Sequence, residues 1–257
     1  MPKAFWPPKT INGWNRSRLM EVLKIVAEGI VTSFRYPHFA LSVQPSFTMP
    51  PPATIYGHIC SAVGDWIDPH GLQFAYHFTH AGEAEDLEHV HVLSASSGKL
   101  PQTNYPKVLE GNVNPFQRKI LFQPRLTLYL NRIDLLPAFQ SPHYALVLGR
   151  SQDLFSYRSI KTITLEPREQ IYLEHTLLPF EMATRIPSGL VTLMPRMLDY
   201  YNDRQPIWER YVTLNRRIYS NHTHFLQFEQ DRYLADPEEV TANGFARGLI
   251  FHSFVGV

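Results

Sequence analysis

The stretch Val22-Leu23-Lys24-Ile25-Val26-Ala27-Glu28-Gly29-Ile30-Val31-Thr32-Ser33-Phe34 decides how this chain folds. It is β-branched and alternating. Leu23, Ile25, Ala27, Gly29 and Val31 fall on one face, and Val22, Lys24, Val26, Glu28, Ile30 and Thr32 on the other. One apolar and one mixed face predict a strand in a sheet covered on a single side. Upstream, residues 1–19 hold Pro2, Pro7, Pro8, Asn12, Gly13 and Asn15 without sustained periodicity and read as a loose arm. Met20 opens the first periodic element and is a candidate initiation site.

Downstream, Met49-Pro50-Pro51-Pro52 is a proline-rich turn that suits a helix N-terminus. Ile55, Ile59, Ala62, Val63 and Trp66 then recur at helical spacing, predicting a helix over 53–66. Gly57 and Gly64 cost that helix stability unless another backbone packs closely. After Gly71, Leu72–Phe78 and Glu88–Leu93 read as strands flanking an acidic turn, and 94–116 as a long polar insertion. Ile120–Leu130 reads as a strand, Ile133–Phe139 as a short helix, and Ala145–Leu148 as a short strand ending in Gly149-Arg150. Strand, helix, strand, strand, helix, strand is the ferredoxin-like plan, so the expected class is α+β with an insertion. Beyond about residue 155, short strands are broken by Pro167, Pro179, Pro187, Pro195 and Pro206. The chain therefore divides into the arm 1–19, a domain over 20–155, and a β-rich region over 156–257.

Composition bounds the classes of function. The 21 prolines among 257 residues exceed the roughly 5% of average usage, so long helices should be few. A single cysteine, Cys60, excludes an internal disulfide framework and fits a reducing cytosol. No apolar run approaches the roughly 20 residues that span a bilayer, and no signal-peptide pattern opens the chain, so a cytoplasmic protein without a membrane partner is expected. The formal net charge of +1 gives no sign of nucleic acid, but its distribution does. Lys99, Lys107, Arg118, Lys119, Arg125 and Arg132 are opposed only by Glu110, whereas Glu83, Glu85, Asp86 and Glu88 stand without a lysine or arginine. These segments suggest two neighbours, RNA on one side and protein on the other; the alternative is two solvated loops.

Two blocks carry a family resemblance. The run Glu28-Gly29-Ile30-Val31-Thr32-Ser33-Phe34-Arg35, followed by Met49-Pro50-Pro51-Pro52-Ala53-Thr54-Ile55-Tyr56-Gly57, resembles the opening of the CRISPR-associated protein 5 family, and its wording is most similar to the type I-B branch. The run Leu148-Gly149-Arg150-Ser151-Gln152-Asp153 resembles that family's Leu-Gly-Arg-Ser segment after the fourth strand. The resemblance covers about residues 20–70 and 120–165. It implies a non-enzymatic RNA clamp: a ferredoxin-like domain with a β-hairpin thumb that grips the 5′ handle of CRISPR RNA. It further implies partners, namely the backbone subunits and large subunit of a Cascade complex and, indirectly, target DNA. The thumb would be the insertion at about 97–119.

Candidate RNA contacts follow from chemistry within that resemblance. The helix near Ala53 offers free N–H groups and a positive dipole end, with Thr54 and Tyr56 as hydroxyl donors; the alternative places Tyr56 in the core. Arg35 beside Phe34 joins a cation to a stackable ring, as single-stranded RNA recognition does. In the insertion, Lys99, Lys107, Arg118 and Lys119 would hold phosphates. Asn112, Asn114 and Gln117 would read base edges there, and Tyr105 or Phe116 would stack. Arg150 and Ser151 would face RNA or an internal carboxylate such as Asp153.

No catalytic residue, metal or cofactor is expected. His77 and His80, with His89 and His91 nearby, lack the cysteine pair or helical His-Glu-x-x-His that zinc sites use, and His222 and His224 read the same way. A minority branch of the family cleaves precursor RNA with a tyrosine, a lysine and a histidine. Ala62-Val63-Gly64-Asp65-Trp66 offers no matching tyrosine, and Arg118-Lys119-Ile120-Leu121 no Lys-His pair, although Tyr56 and His58 keep cleavage as an alternative. A stand-alone enzyme is the second alternative, but no Gly-x-Ser-x-Gly or phosphate-binding loop appears.

Overall fold

The 22–34 stretch forms the central strand β1 (Met20–Gly29), then breaks into the short pieces Val31–Thr32 and Phe34–Arg35. The structure, a computed structural model, describes residues 19–36, 43–184, 186, 188–221 and 233–255, so all but Leu19 of the arm read over 1–19 lies outside it. After β1 come α1 (Pro52–Val63), β2 (Gln73–Thr79), β3 (Gly82–Ala95) and β4 (Leu109–Phe122). They are followed by β5 (Arg125–Leu130), the short helix α2 (Leu136–Gln140) and β6 (Phe155–Arg168). The molecule is mostly β with few helices. Among the described residues no helix is long and apolar enough to cross a membrane.

In the main sheet β1 lies between β5 and β6, with β2 beyond β5, and each neighbouring pair is antiparallel. Ile25 stands opposite Leu128 on one side and Ile160 on the other. Past β6 the sheet continues into Tyr233–Val240, Ala246–Gly248, Ile171–Leu173 and Ile218–Tyr219. One face buries Leu23, Ile25 and Ala27 with Ile55 and Ile59 of α1 and Phe139 of α2. That apolar burial, about 1.5–3 kcal/mol for each large aliphatic side chain, fixes α1 across the sheet.

The second face is covered as well, which corrects the expectation of a sheet covered on a single side. Val22, Ala75, Tyr129, Ile163, Leu165 and Leu249 form a second buried cluster there. Lys24, a polar member of that face, is buried. Its Nζ lies 2.5 Å from Asp236, 3.0 Å from Glu238 and 3.4 Å from Glu239, and the Tyr129 hydroxyl donates to Asp236 at 2.7 Å. The lysine that looked solvent-facing anchors the C-terminal region to the back of the sheet.

Three further expectations are revised. The acidic stretch is not a turn between Leu72–Phe78 and Glu88–Leu93. Glu83 to Glu88 lie in β3, which pairs with β4 along its full length from Gly82↔Phe122 to Ala95↔Leu109; the chain reverses only beyond the Lys99↔Pro106 bridge, over residues 100–105, where Gln102 takes φ +60°. Ile120–Leu130 is interrupted at Gln123-Pro124: Gln123 takes φ +49° and donates its N–H to the Ile30 carbonyl at 2.7 Å, separating β4 from β5. Ala145–Leu148 makes only the isolated bridge Val147↔Leu154. The fourth strand of the central sheet is β6, so the Leu-Gly-Arg-Ser segment precedes that strand rather than following it, and residues after 155 supply a central strand.

The helix ends at Val63, before Trp66. Gly64 adopts φ 89° as the left-handed cap, its N–H donating to the Cys60 carbonyl at 2.8 Å, and a Cβ there would fall 2.4 Å from His143. Gly57 meets open space, so its cost is not offset by a close backbone.

Candidate functional site

The site begins with a glycine. Gly149 has φ +108°, and a Cβ on it would sit 2.4 Å from Thr32 Oγ1 and 2.9 Å from the Ser33 carbonyl, so only glycine lets the 148–153 turn close on the end of the first strand. The Thr32 hydroxyl donates to the Leu148 carbonyl. Asp153, fully buried, accepts the backbone N–H groups of Arg150 (2.9 Å) and Ser33 (3.2 Å). The same carboxylate accepts Arg150 Nη2 at 2.8 Å and Nε at 3.1 Å. Arg150 is thereby held as a charge-assisted fork at the rim of the turn.

Period-two alternation decides which first-block side chains reach outward. Phe34 is buried, edge-on to Phe78 at 5.4 Å, with its N–H donating to Ser46 Oγ at 2.8 Å. Arg35 is exposed, and its side chain makes no hydrogen bond or ion pair with a described residue. α1 arrives with Pro51 as N-cap and Pro52 in its first turn. The N–H groups of Thr54 and Ile55 both donate to the Pro51 carbonyl, at 2.9 and 3.2 Å. No acidic side chain stands in that first turn, so the positive end of the helix dipole is not neutralised by the helix itself.

The base of the β3–β4 hairpin closes the site. Arg118 is buried and its Nε donates to the Glu88 carboxylate, which also lies 3.5 Å from Arg150 Nη1 and accepts Gln152 Nε2 at 3.4 Å. These elements enclose a cleft of about 370 Å³ lined by Ser33, Phe34, Arg35, Thr54, Glu88, Arg118, Gly149, Arg150, Ser151 and Gln152. Three guanidinium groups face one lining carboxylate, Glu88. Such a cleft suits an anion with flat or polar appendages.

Of the expected contacts, the structure brings Phe34, Arg35, Thr54, Arg118, Arg150 and Ser151 together at this cleft. Tyr56 is not among them. It is buried, and its hydroxyl donates to the Ile67 carbonyl, because its place in α1 turns it toward Phe254 and Trp66. The rest lie along the hairpin, whose register sorts them: Asn112, Asn114 and Phe116 share a face with Arg118, while Gln117 and Lys119 stand on the other. Lys99, Tyr105 and Lys107 lie at the far end, Tyr105 highly exposed and Lys107 3.3 Å from Glu110. Ser33, Glu88, Gly149 and Gln152 were missed as site residues, although Ser33, Gly149 and Gln152 stand inside the two quoted blocks.

The acidic segment and the basic residues Arg118 and Lys119 face each other across the hairpin. Lys119 meets Glu83 at 2.5 Å and Arg118 meets Glu88, since the hairpin pairs one segment against the other.

The histidines are placed apart. His58 is buried, its Nδ1 3.1 Å from the Val147 carbonyl and its Nε2 3.0 Å from the Tyr157 hydroxyl, and burial lowers its pKa. His77, on β2, is pushed down to about 3, chiefly by burial and then by Arg247, His175, Arg217 and Arg125. His89 and His91 lie on the exposed hairpin, and His222 and His224 fall outside the described residues. Among the described residues no three His, Cys, Asp or Glu side chains converge as a metal site.

No family model matches the chain, and no curated protein matches it. Solved structures are similar to it. A chain of a CRISPR RNA-guided surveillance complex shares 14% identity over 78% of this chain and 92% of its own, with a TM-score of 0.49. A CRISPR protein from Archaeoglobus fulgidus shares 10% identity over 77% of this chain and 87% of its own, at 0.43. A further Cas protein shares 14% identity over 76% of this chain and 95% of its own, at 0.36.

Proposed function

We propose that this chain is a subunit of a type I CRISPR effector complex, of the CRISPR-associated protein 5 kind and nearest in wording to the type I-B branch, that holds the 5′ handle of the guide RNA. One observation carries the reading. The two sequence blocks that resemble that family, separated by residues 58–147 of the chain, meet at one cleft where Arg35, Arg118 and Arg150 converge beside the N-terminus of α1. Phosphates suit the guanidinium groups and the helix end. The antiparallel order β6-β1-β5-β2, with α1 and α2 between strands, is read as a ferredoxin-like sheet, and the β3–β4 hairpin as its thumb. Backbone and large subunits of the complex are the implied protein partners, with target DNA reached through them.

The role proposed is binding without cleavage. Tyr56 and His58, the acid–base groups on the cleft helix, are spent on core partners, and no histidine lines the cleft among the described residues. The test is co-expression of the tagged protein with its neighbouring genes and CRISPR array, followed by sequencing of co-purified RNA. Guides with uniform 5′ ends, lost on Arg35→Glu while the protein stays folded, are expected. An assembled complex without RNA overturns the reading, and correctly trimmed guides made by this protein alone restore the nuclease alternative.

A further inference from the structure

At the end of α1 opposite the cleft, a line of aromatic rings runs from the core to the surface. Tyr56, buried, lies 6.0 Å from Trp66; Trp66 lies 4.1 Å from Tyr200; and Tyr200 lies 5.9 Å from Tyr201. Exposure rises along the line, from 44% at Trp66 and 48% at Tyr200 to 97% at Tyr201. The outer two rings stand on the tip of the hairpin formed by Leu190–Asp199 and Gln205–Leu214. That tip is built rather than loose. The Asp199 carboxylate accepts the Tyr201 N–H at 3.2 Å, the Asn202 N–H reaches the Asp199 carbonyl at 3.3 Å, and Asp203 and Arg204 take φ of 49° and 57°. Non-glycine residues in that region mark a turn of defined shape.

The charges around the rings are mostly negative. Asp65 accepts the Trp66 N–H at 2.7 Å, Asp68 is close enough to Tyr56 to act on its hydroxyl, and Asp199 and Asp203 lie in the tip. The cations nearby are Arg204 in the same turn and Arg132, which is held by Asp134 at 2.6 Å, while the His70 ring lies 2.6 Å from Asp68. Exposed π faces with an acidic rim attract a guanidinium and repel a phosphate.

We infer that the Trp66–Tyr200–Tyr201 surface docks an arginine-bearing segment of a partner protein, the arginine stacking on the exposed rings with its charge met by the aspartates. Clusters of tyrosine and tryptophan paired with arginine are the usual anchors of protein interfaces. This deepens the proposed role by giving the chain a protein-facing surface, yet it stands on residues remote from the cleft, so each idea fails or survives by itself.

The experiment follows fluorescence of the full chain as a hexa-arginine peptide is added, with Trp66→Phe identifying the Trp66 component. Saturable quenching of that component is expected, with affinity weakened about two- to five-fold by Tyr201→Ala and retained by Tyr201→Phe, as a ring without a hydroxyl still stacks a cation. Asp203→Asn weakens it as well. Far-UV circular dichroism confirms that each variant is folded. Binding that Tyr201→Ala leaves unchanged overturns the inference, as does no Trp66 response. A single-stranded oligonucleotide that quenches Trp66 in a Tyr201-dependent manner also overturns it, in favour of a nucleobase platform.

Discussion

The carboxylate of Asp153 holds the guanidinium of Arg150 by contacts of 2.8 and 3.1 Å, with Asp153 fully buried and Arg150 at the rim of the cleft. The pair also ties the turn to Ser33, whose N–H donates to the same carboxylate. Asp153→Ala leaves a largely desolvated guanidinium and orphans the backbone N–H groups of Ser33 and Arg150, which costs about 3–5 kcal/mol. Urea unfolding should show that loss. Asp153→Asn, which keeps the shape and one acceptor, should lose less. Equal stability of all three proteins would mean that the pair is not what closes the turn.

Arg35 differs from the other two cleft arginines in having no described partner, so its removal separates binding from folding. Arg35→Ala should leave the urea midpoint unchanged within about 0.5 kcal/mol, since exposed substitutions away from special features do little. If Arg35 meets a phosphate of bound RNA, the slope of log K against log salt should fall in magnitude by about 0.7, the increment for one single-strand phosphate contact. Binding isotherms for handle RNA at four salt concentrations measure this. An unchanged slope would assign Arg35 to solvent.

How much of this was legible beforehand follows from which forces are local. The proline turn and the start of α1 were readable because prolines and helical spacing act within a few residues. The buried role of Lys24 was not, because its partners Asp236, Glu238 and Glu239 lie more than two hundred residues away. Likewise Glu88 read as part of an acidic patch until the hairpin register placed it opposite Phe116, within reach of Arg118. Arg35, Arg118 and Arg150 were each visible as cations. Their convergence was not derivable from spacing: Arg35 and Arg150 stand in the two resembling blocks and Arg118 in neither.

The hairpin register makes a prediction that composition alone could not. Asn112, Asn114 and Phe116 lie on the face that runs into Arg118, and Gln117 lies on the opposite one. RNA leaving the cleft along the hairpin would meet the asparagine face only. Asn112→Ala with Asn114→Ala should weaken handle RNA about ten-fold, the loss of two modest hydrogen bonds, whereas Gln117→Ala should have no effect. Competition binding with fluorescently labelled handle RNA tests this; equal effects from both faces would remove the hairpin as an ordered guide for the strand.

His77 titrates at about 3 in the folded chain against an ordinary 6.5, mainly because it is buried and secondarily because Arg247, His175, Arg217 and Arg125 surround it. Its folded value lies below its unfolded one, so the unfolded chain binds the proton first. The stability it contributes is complete above about pH 7 and is lost as pH falls from 6.5 toward 3. Between pH 7.5 and 5 that loss is about 2 kcal/mol from His77 alone. Burial lowers His58, His175 and His252 too, so their contributions fall in the same direction. Urea midpoints taken across that range should decline, and His77→Gln, which cannot take up the proton, should flatten the decline by about one proton's worth of slope. A mutant as acid-sensitive as the parent would mean that His77 reaches solvent and titrates normally, and the acid response would then belong to His58, His175 and His252.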